Sequence, residues 1–220
     1  MKTTAIIVAA GTGSRFRSQI PKQFLELAGK PVVAHAIDRF QSASSIDSIV
    51  VVLAEDRVDA FHHTAGKIIA VVAGGATRAE SVMQGLSSVG GADVVAVHDG
   101  ARPFVTADEI DRTVAKAKDT GAACLVTPVT DTIKTIRGDE ISGTLDRDKL
   151  RRALTPQVFK KEVLQRAFEL GDLSEAVTDE CYLVEKLGHP IAFVEGSARN
   201  IKITNPEDLL MAAVIARSFG

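Results

Sequence analysis

Near the amino end, Ala9-Ala10-Gly11-Thr12-Gly13-Ser14-Arg15-Phe16 runs on to Pro21-Lys22-Gln23. Small residues, two glycines and two cations at that spacing suit a polyphosphate. Ala9 and Ala10 let a base and ribose approach the backbone. Gly11 and Gly13 permit positive φ and expose N–H groups to phosphate oxygens. Arg15 can bridge two such oxygens, and Lys22 adds a compact positive charge. The string is no Walker A loop, which needs G-x-x-x-x-G-K-[ST]. It is no dinucleotide fingerprint either, because Phe16 stands where the third glycine belongs and no acidic residue closes a second strand about 20 residues on. A tight strand-to-helix turn with solvated cations would account for Gly11 and Gly13 alone. It would not account for Arg15, Pro21 and Lys22 beside them.

Asp99 closes the apolar run Val94-Val95-Ala96-Val97-His98, and ligands of open α/β sheets sit at the carboxyl ends of strands. Three readings stand open for it: contact with a substrate hydroxyl or a Mg²⁺-bound water, a cap for the following loop, or an ion pair with Arg102. No Ser/His/Asp or Cys/His arrangement is evident. His98 reads as a packed, hydrogen-bonded side chain, and His35 and His189 have no identifiable partner. His62-His63 is expected on a surface helix, where adjacent side chains diverge and share no metal. Arg151-Arg152 with Lys149 reads as a solvated or arm-associated patch. Cys124 and Cys181 lack metal-ligand spacing and are expected to be reduced and inert.

Short apolar runs alternate with amphipathic segments. Strands are expected over 4–9, 48–53, 68–72, 94–98, 123–128 and 191–195, and helices over 32–42, 54–65, 78–88, 107–120, 160–170 and 206–218. The alternation implies right-handed β-α-β units. The expected fold is α/β: a Rossmann-like, mostly parallel sheet with helices on both faces, plus a protruding β-hairpin arm. Residues 132–137 alternate in period 2, Gly138-Asp139 supplies a two-residue turn, and 140–145 returns. An isolated hairpin is marginal in water, so this one must lie on another chain as a dimerisation arm or fold as a flap on its own subunit. The expected organisation is a single domain over 1–220 with the arm inserted at about 131–150.

At 220 residues, with 45% hydrophobic and 25% charged residues, the chain can bury a substantial core. A formal net charge of −2 gives no reason to expect nucleic acid or an acidic membrane as partner. An anionic ligand therefore needs a local cluster of cations. Residues 1–20 lack the long apolar core of a secretory leader, and no apolar run approaches the ~18 residues of a membrane span. A cytoplasmic enzyme is expected.

Further strings extend the pattern: Gly74-Gly75-Ala76-Thr77-Arg78-Ala79-Glu80-Ser81-Val82, Val97-His98-Asp99-Gly100-Ala101-Arg102-Pro103 and Asp131-Thr132-Ile133-Lys134. Leu154-Thr155-Pro156-Gln157, Thr178-Asp179-Glu180 and Asn200-Ile201-Lys202-Ile203-Thr204 complete the set. Together they resemble the nucleotidyltransferase branch of the nucleotide-diphospho-sugar transferase superfamily, and within it the 2-C-methyl-D-erythritol 4-phosphate cytidylyltransferases of non-mevalonate isoprenoid biosynthesis. The resemblance implies cytidylyl transfer from CTP to a polyol phosphate, release of pyrophosphate, and a Mg²⁺ cofactor held mainly by triphosphate oxygens. It implies that Arg15 and Lys22 stabilise the transition state. It places CTP against Ala9, Ala10, Gly11, Gly13, Gly75 and Ser81, and the acceptor against Asp99, Arg102, Arg147, Thr178 and Lys202. It also implies a homodimer in which the arm carries Arg147 to the partner's site. Rival readings are a ribitol 5-phosphate cytidylyltransferase, a nucleotide-binding module without chemistry, and an NAD(P)-dependent dehydrogenase.

Overall fold

The computed structural model describes residues 1–11, 16, 20–171 and 177–218. The chain runs β1 (Thr3–Ala9), β2 (Glu26–Leu27), β3 (Lys30–Pro31), α1 (Val32–Ser42), β4 (Ser48–Leu53), α2 (Glu55–Val58), β5 (Ile68–Ala73), α3 (Arg78–Ser87) and β6 (Val94–Asp99). It continues through α4 (Ala107–Thr120), β7 (Ala122–Pro128), β8 (Lys134–Arg137), β9 (Glu140–Thr144), β10 (Arg151–Lys160), α5 (Lys161–Leu170), α6 (Glu180–Lys186), β11 (Ala192–Glu195) and α7 (Pro206–Ala216). Seven strands form one sheet in the order β11-β7-β10-β6-β1-β4-β5. The pairs β1–β4, β1–β6, β4–β5 and β7–β11 are parallel; β10 runs antiparallel to both its neighbours.

Strand periodicity divides the core between two faces. Ala5, Ile7 and Ala9 of β1 pack with Ile37 and Phe40 of α1 and Val114 of α4. Ile6, between them, points the other way and joins Val82 of α3, Leu164 of α5 and Val184 of α6. The helices start where their sequences can close the first turn. Thr106 and Glu109 form a capping box at α4, Asn205 and Asp208 do so at α7, and Asp179 caps α6 by accepting from the Tyr182 amide. A third, smaller cluster holds the carboxyl-terminal segment. Leu27, Val32, Phe104, Ile203 and Ala212 pack together, and the Ile203 amide donates to the Ala101 carbonyl at 2.9 Å. Among the described residues no helix is long and apolar enough to cross a membrane.

The arm takes its expected place. β8 and β9 form a separate two-stranded sheet, and Gly138 adopts φ 59° at the first central position of the turn, where a type II′ turn calls for glycine. One expectation fails, and two elements are not anticipated. The helix expected over 54–65 is only Glu55–Val58, and none of its four residues is buried. Asp59, His62, His63 and Thr64 are poor helix formers, and too few apolar anchors follow to offset them. His62-His63 therefore lies off any helix; His63 accepts from the Ala65 amide and sits 3.4 Å from Asp38. β10 is not legible as a strand because Pro156 interrupts it. The structure accommodates Pro156 where the register against β7 shifts between Ala153 and Gln157, so its missing N–H breaks no ladder. α6 follows directly on Thr178-Asp179, which reads from sequence only as a motif.

Cys124 and Cys181 are buried and unpaired. Hydrogen bonding to Cys124 and burial push the Cys181 thiol up, which keeps it unreactive.

Gly85 lets α3 settle onto the sheet: a Cβ there would lie 2.5 Å from Ile6 Cγ2 and 3.0 Å from Val52 Cγ2. Because Ile6 and Val52 are fully buried, Gly85→Val should lower the free energy of unfolding by about 2 kcal/mol through overpacking. Urea denaturation checks this, and an unchanged midpoint would show that α3 can lift away at no cost.

Candidate active site

β1 and β6 are neighbours, yet the chain goes from β1 to β4 and β5 on one side and later returns to β6 on the other. Such a reversal of strand order opens a crevice at the carboxyl edge of the sheet. A cavity of about 410 Å³ lies there. Of the expected CTP-side residues, Ala9, Ala10, Gly11, Gly75 and Ser81 line it; so do Lys22, Asp99 and Lys202. Gly13 and Arg15 lie outside the described residues.

The two loops that wall one side are fixed by specific contacts. Gln23, buried, donates to the carbonyls of Ala9 (2.7 Å) and Gly11 (2.8 Å) and so holds the exit from β1. Gly11 does not take the positive φ expected of it. A Cβ at Gly11 would meet nothing within 4 Å, so its service is an open approach to the backbone. Opposite, the Ser81 hydroxyl accepts from the Gly75 amide (3.2 Å) and donates to the Thr77 carbonyl (2.9 Å). A Cβ on Gly74 would come within 2.4 Å of Ala10 Cβ, so only glycine lets the β5–α3 loop meet the β1 loop this closely.

The other wall is built on charge. The Asp99 carboxylate accepts from Arg78 Nε at 3.1 Å and Arg102 Nε at 3.3 Å, and Lys202 Nζ stands 3.0 Å away. Burial alone would push this carboxyl up. Arg78, Lys202 and Arg102 outweigh that and hold it far below the usual carboxylate range. Arg78 in turn grips Glu180 with both terminal nitrogens, at 2.5 and 3.0 Å. Burial pushes the Glu180 carboxyl up, and Arg78 counters it. Lys202 owes its aim to strand-like alternation: Ile201 and Ile203 pack into the third cluster, and Lys202 between them faces Asp99. Thr204 donates from its hydroxyl and amide to Asp208. Burial pushes the Asp208 carboxyl up, but those bonds and the Lys22 charge together lower it.

Three expected acceptor residues are off the cavity wall. Arg102 lies behind Asp99, where its guanidinium also donates to the Asn200 carbonyl at 2.9 Å; the Asp99–Arg102 ion pair is formed, and Asp99 still lines the cavity. Arg147, exposed at the end of the arm, donates to the Thr130 carbonyl at 2.8 Å. Thr178 is exposed just ahead of the α6 cap. Sequence reasoning gave no role to Gln23, Glu180, Thr155 and Asn200, all buried and polar; Gln23 bonds 12 and 14 residues back, and the other three find partners 45 or more residues away. Each lies in one of the strings quoted above, but those strings gave none of them a role.

Asp99 does not suit a metal. Both oxygens face cations, so a divalent ion would have to displace Lys202 and sit among three positive groups. Among the described residues no group of three or more His, Cys, Asp or Glu is placed to hold one.

Over residues 3–218 the chain matches the family model described as IspD, 2-C-methyl-D-erythritol 4-phosphate cytidylyltransferase. The chain belongs to this family. It is 43% identical to the 2-C-methyl-D-erythritol 4-phosphate cytidylyltransferase of Rhodopirellula baltica, over 96% of this chain and 93% of that one. Identity to the bifunctional enzyme IspD/IspF of Desulfotalea psychrophila is 41%, over 96% of this chain and 56% of that one. The crystal structure of 2-C-methyl-D-erythritol 4-phosphate cytidylyltransferase from Thermus thermophilus is similar at a TM-score of 0.82 and 32% identity, covering 99% of this chain and 100% of that one.

His98 gives the site a pH signature. Burial lowers its pKa from 6.5 to about 4, only partly countered by its bond to the Arg102 carbonyl and by the Asp99 charge. The unfolded chain therefore binds a proton that the folded chain refuses as pH falls from 6.5 to about 4. Stability should be full above that window and drop across it by on the order of 3 kcal/mol. Denaturation at stepped pH should show the drop, and His98→Asn should remove most of it. A slope retained in that variant would assign the proton elsewhere.

Proposed function

We propose that this chain transfers the cytidylyl group of CTP to 2-C-methyl-D-erythritol 4-phosphate, giving 4-diphosphocytidyl-2-C-methyl-D-erythritol and pyrophosphate. The observation that carries the reading is the cavity at the strand reversal, with family backbone loops on one wall and Lys22, Arg78 and Lys202 presented around it. The attacking oxygen belongs to a phosphate monoester and is already anionic at neutral pH, so the site needs no general base. A bond forms between that oxygen and the α-phosphorus while the bond from the α-phosphorus to the α,β-bridging oxygen breaks. Pyrophosphate leaves with the electron pair. What the protein must supply is in-line positioning and cations for the charge that develops.

The roles follow from position. Ala9, Ala10, Gly11, Gly75 and Ser81 border the nucleotide; Gly13, expected with them, lies outside the described residues. Lys22 and Arg15 stabilise the transferring phosphoryl. Lys202, aimed by Asp99, takes the acceptor's phosphate, and Asp99 itself faces the acceptor's hydroxyls. Mg²⁺ arrives on the triphosphate oxygens as part of the nucleotide substrate, needing no protein carboxylate. The enzyme works in the cytoplasm, in keeping with its two unpaired cysteines.

The functional unit is a homodimer joined through the arm. Ile136 and Ile141 pair across β8 and β9 and are 73% and 69% exposed, an apolar surface that a second copy would cover. Arg147, held off the cavity of its own chain at the end of that arm, would then complete the partner's acceptor site together with Thr178.

A pyrophosphate-release assay tests the reaction. CTP should be preferred over UTP and ATP, and 2-C-methyl-D-erythritol 4-phosphate over ribitol 5-phosphate; equal kcat/KM values for either pair would remove that part of the assignment. Lys22→Ala should lower kcat by about 10²–10³ with the fold retained. Wild-type turnover in a folded Lys22→Ala enzyme would take the lysine out of the chemistry. Mixing Arg147→Ala with Lys22→Ala subunits should restore part of the activity, because one of the two sites then has both cations. Verified heterodimers that stay inactive would show that sites are not shared.

A further inference from the structure

Four residues behind Asp99 close a ring in which each side chain donates to the next residue. The neutral His98 ring donates from Nε2 to the Arg102 carbonyl at 3.0 Å. The Arg102 guanidinium donates to the Asn200 carbonyl at 2.9 Å. The Asn200 amide donates to the Thr155 carbonyl at 2.9 Å. The Thr155 hydroxyl donates to His98 Nδ1 at 2.9 Å and accepts the Asp99 amide at 3.2 Å. His98, Thr155 and Asn200 are all buried.

We infer that this ring is the positioning device of the acceptor side: His98, Thr155 and Asn200 lock the β6 turn, β10 and the Asn200–Lys202 segment into one unit, and so fix Asp99 against Lys202. The inference rests on the reading that Asp99 and Lys202 face the acceptor. β6 and β10 are already paired in the sheet up to Val97 and Gln157; the ring carries that pairing on past the ladder to His98 and Thr155, and it brings in the Asn200–Lys202 segment, which belongs to no strand or helix. The ring ties them together through side chains, and the Ile203–Ala101 backbone bond adds one further link. Its direction is determined by chemistry. A carbonyl can only accept, so Nε2 carries the proton, Nδ1 is left as an acceptor, and the Thr155 hydroxyl must point at it. Burial keeps the imidazole neutral at working pH, which preserves that order. Stability alone would not call for Asn200: its side-chain oxygen is buried without a hydrogen-bond partner, a cost that an apolar residue would avoid. What the position gains is the donor to Thr155.

The CTP-facing loops are held separately by Gln23 and Ser81, so the two substrates report on the ring differently. Steady-state kinetics should give, for Thr155→Val and for His98→Phe, a KM for 2-C-methyl-D-erythritol 4-phosphate raised on the order of tenfold, as one such hydrogen bond is worth. KM for CTP should stay near the wild-type value. Thr155→Ser, which keeps the hydroxyl, and His98→Asn, which keeps an acceptor for it, should recover most of the loss. The Thr155→Val/His98→Phe double variant should be no worse than the poorer single one, because an opened ring cannot be opened twice. If Thr155→Val does not fold, Thr155→Ala removes the same hydroxyl. Unchanged constants in folded variants, equal rises in both KM values, or additive losses would each overturn the ring as a positioning device. A rise confined to KM for CTP would uphold the ring and overturn the placement of the acceptor.

Discussion

One carboxylate organises the chemistry of this molecule. Asp99 is nearly inaccessible, and three cations from three segments converge on it. Taking such groups out of water costs several kcal/mol per ion before any attraction is counted, and well-packed apolar residues would often be as stable. The cluster is thus poorly explained as a source of stability. It is better explained as preorganisation. Asp99 and Glu180 set against Arg78, Arg102 and Lys202 leave one net positive charge, while the Lys22 charge on the cavity wall is shared with the Asp208 carboxylate. A chain with an overall formal charge of −2 thereby presents a cationic cleft to a polyanion, with the cost of orienting those cations met during folding rather than during reaction.

The sheet topology explains why those cations meet. β1, β4, β5, β6 and β7 all end on one edge, and β10, running the opposite way, begins there. The arm is inserted between the end of β7 and the start of β10. It therefore emerges beside the cavity, and Arg147 lies where β10 is about to begin. Antiparallel β10 also brings Thr155 level with the end of β6, which a parallel strand entered from the far edge would not do at that point in the chain. The same reversal thus supplies the arm and the buried hydroxyl.

Much of this is legible in the sequence because periodicity is local. The runs that form β4, α1 and α4 are bounded to the residue, since burial on one or both faces is cut off sharply at each end. The loop residues that carry chemistry are visible as unusual combinations of glycine and cation. The helix over 54–65 is overread because Val58, Phe61 and Ala65 pack against the core at a helix-like spacing, while the poor helix formers Asp59, His62, His63 and Thr64 among them stop the helix at Val58. β10 is underread because Pro156 signals an interruption, whereas a register shift against β7 absorbs it. The members of the ring behind Asp99 stand in the quoted strings, but their meeting cannot be read from them. His98 meets Thr155 across 57 residues, and Arg102 meets Asn200 across 98. No local pattern encodes such a meeting; it exists only once β6, β10 and the segment after β11 are in place.

The magnitudes also separate the three cations by role. Arg78 is locked in a two-pronged bond to a Glu180 with no exposed surface, and breaking such a buried pair leaves an uncompensated charge at a cost of about 3–5 kcal/mol. Arg102 is 12% exposed and is tied both to Asp99 and to the Asn200 carbonyl. Neither can turn to a ligand without dismantling its surroundings. Lys202 is 33% exposed and makes a single ion pair through a flexible stem. Of the three cations it is the most exposed and the least tied, so its ammonium can reorient with the least disturbance of its surroundings. Arg78 and Arg102 therefore act as the fixed mounting, and Lys202 is the least constrained of the three. In that arrangement Asp99 fixes where the Lys202 ammonium stands on the cavity wall.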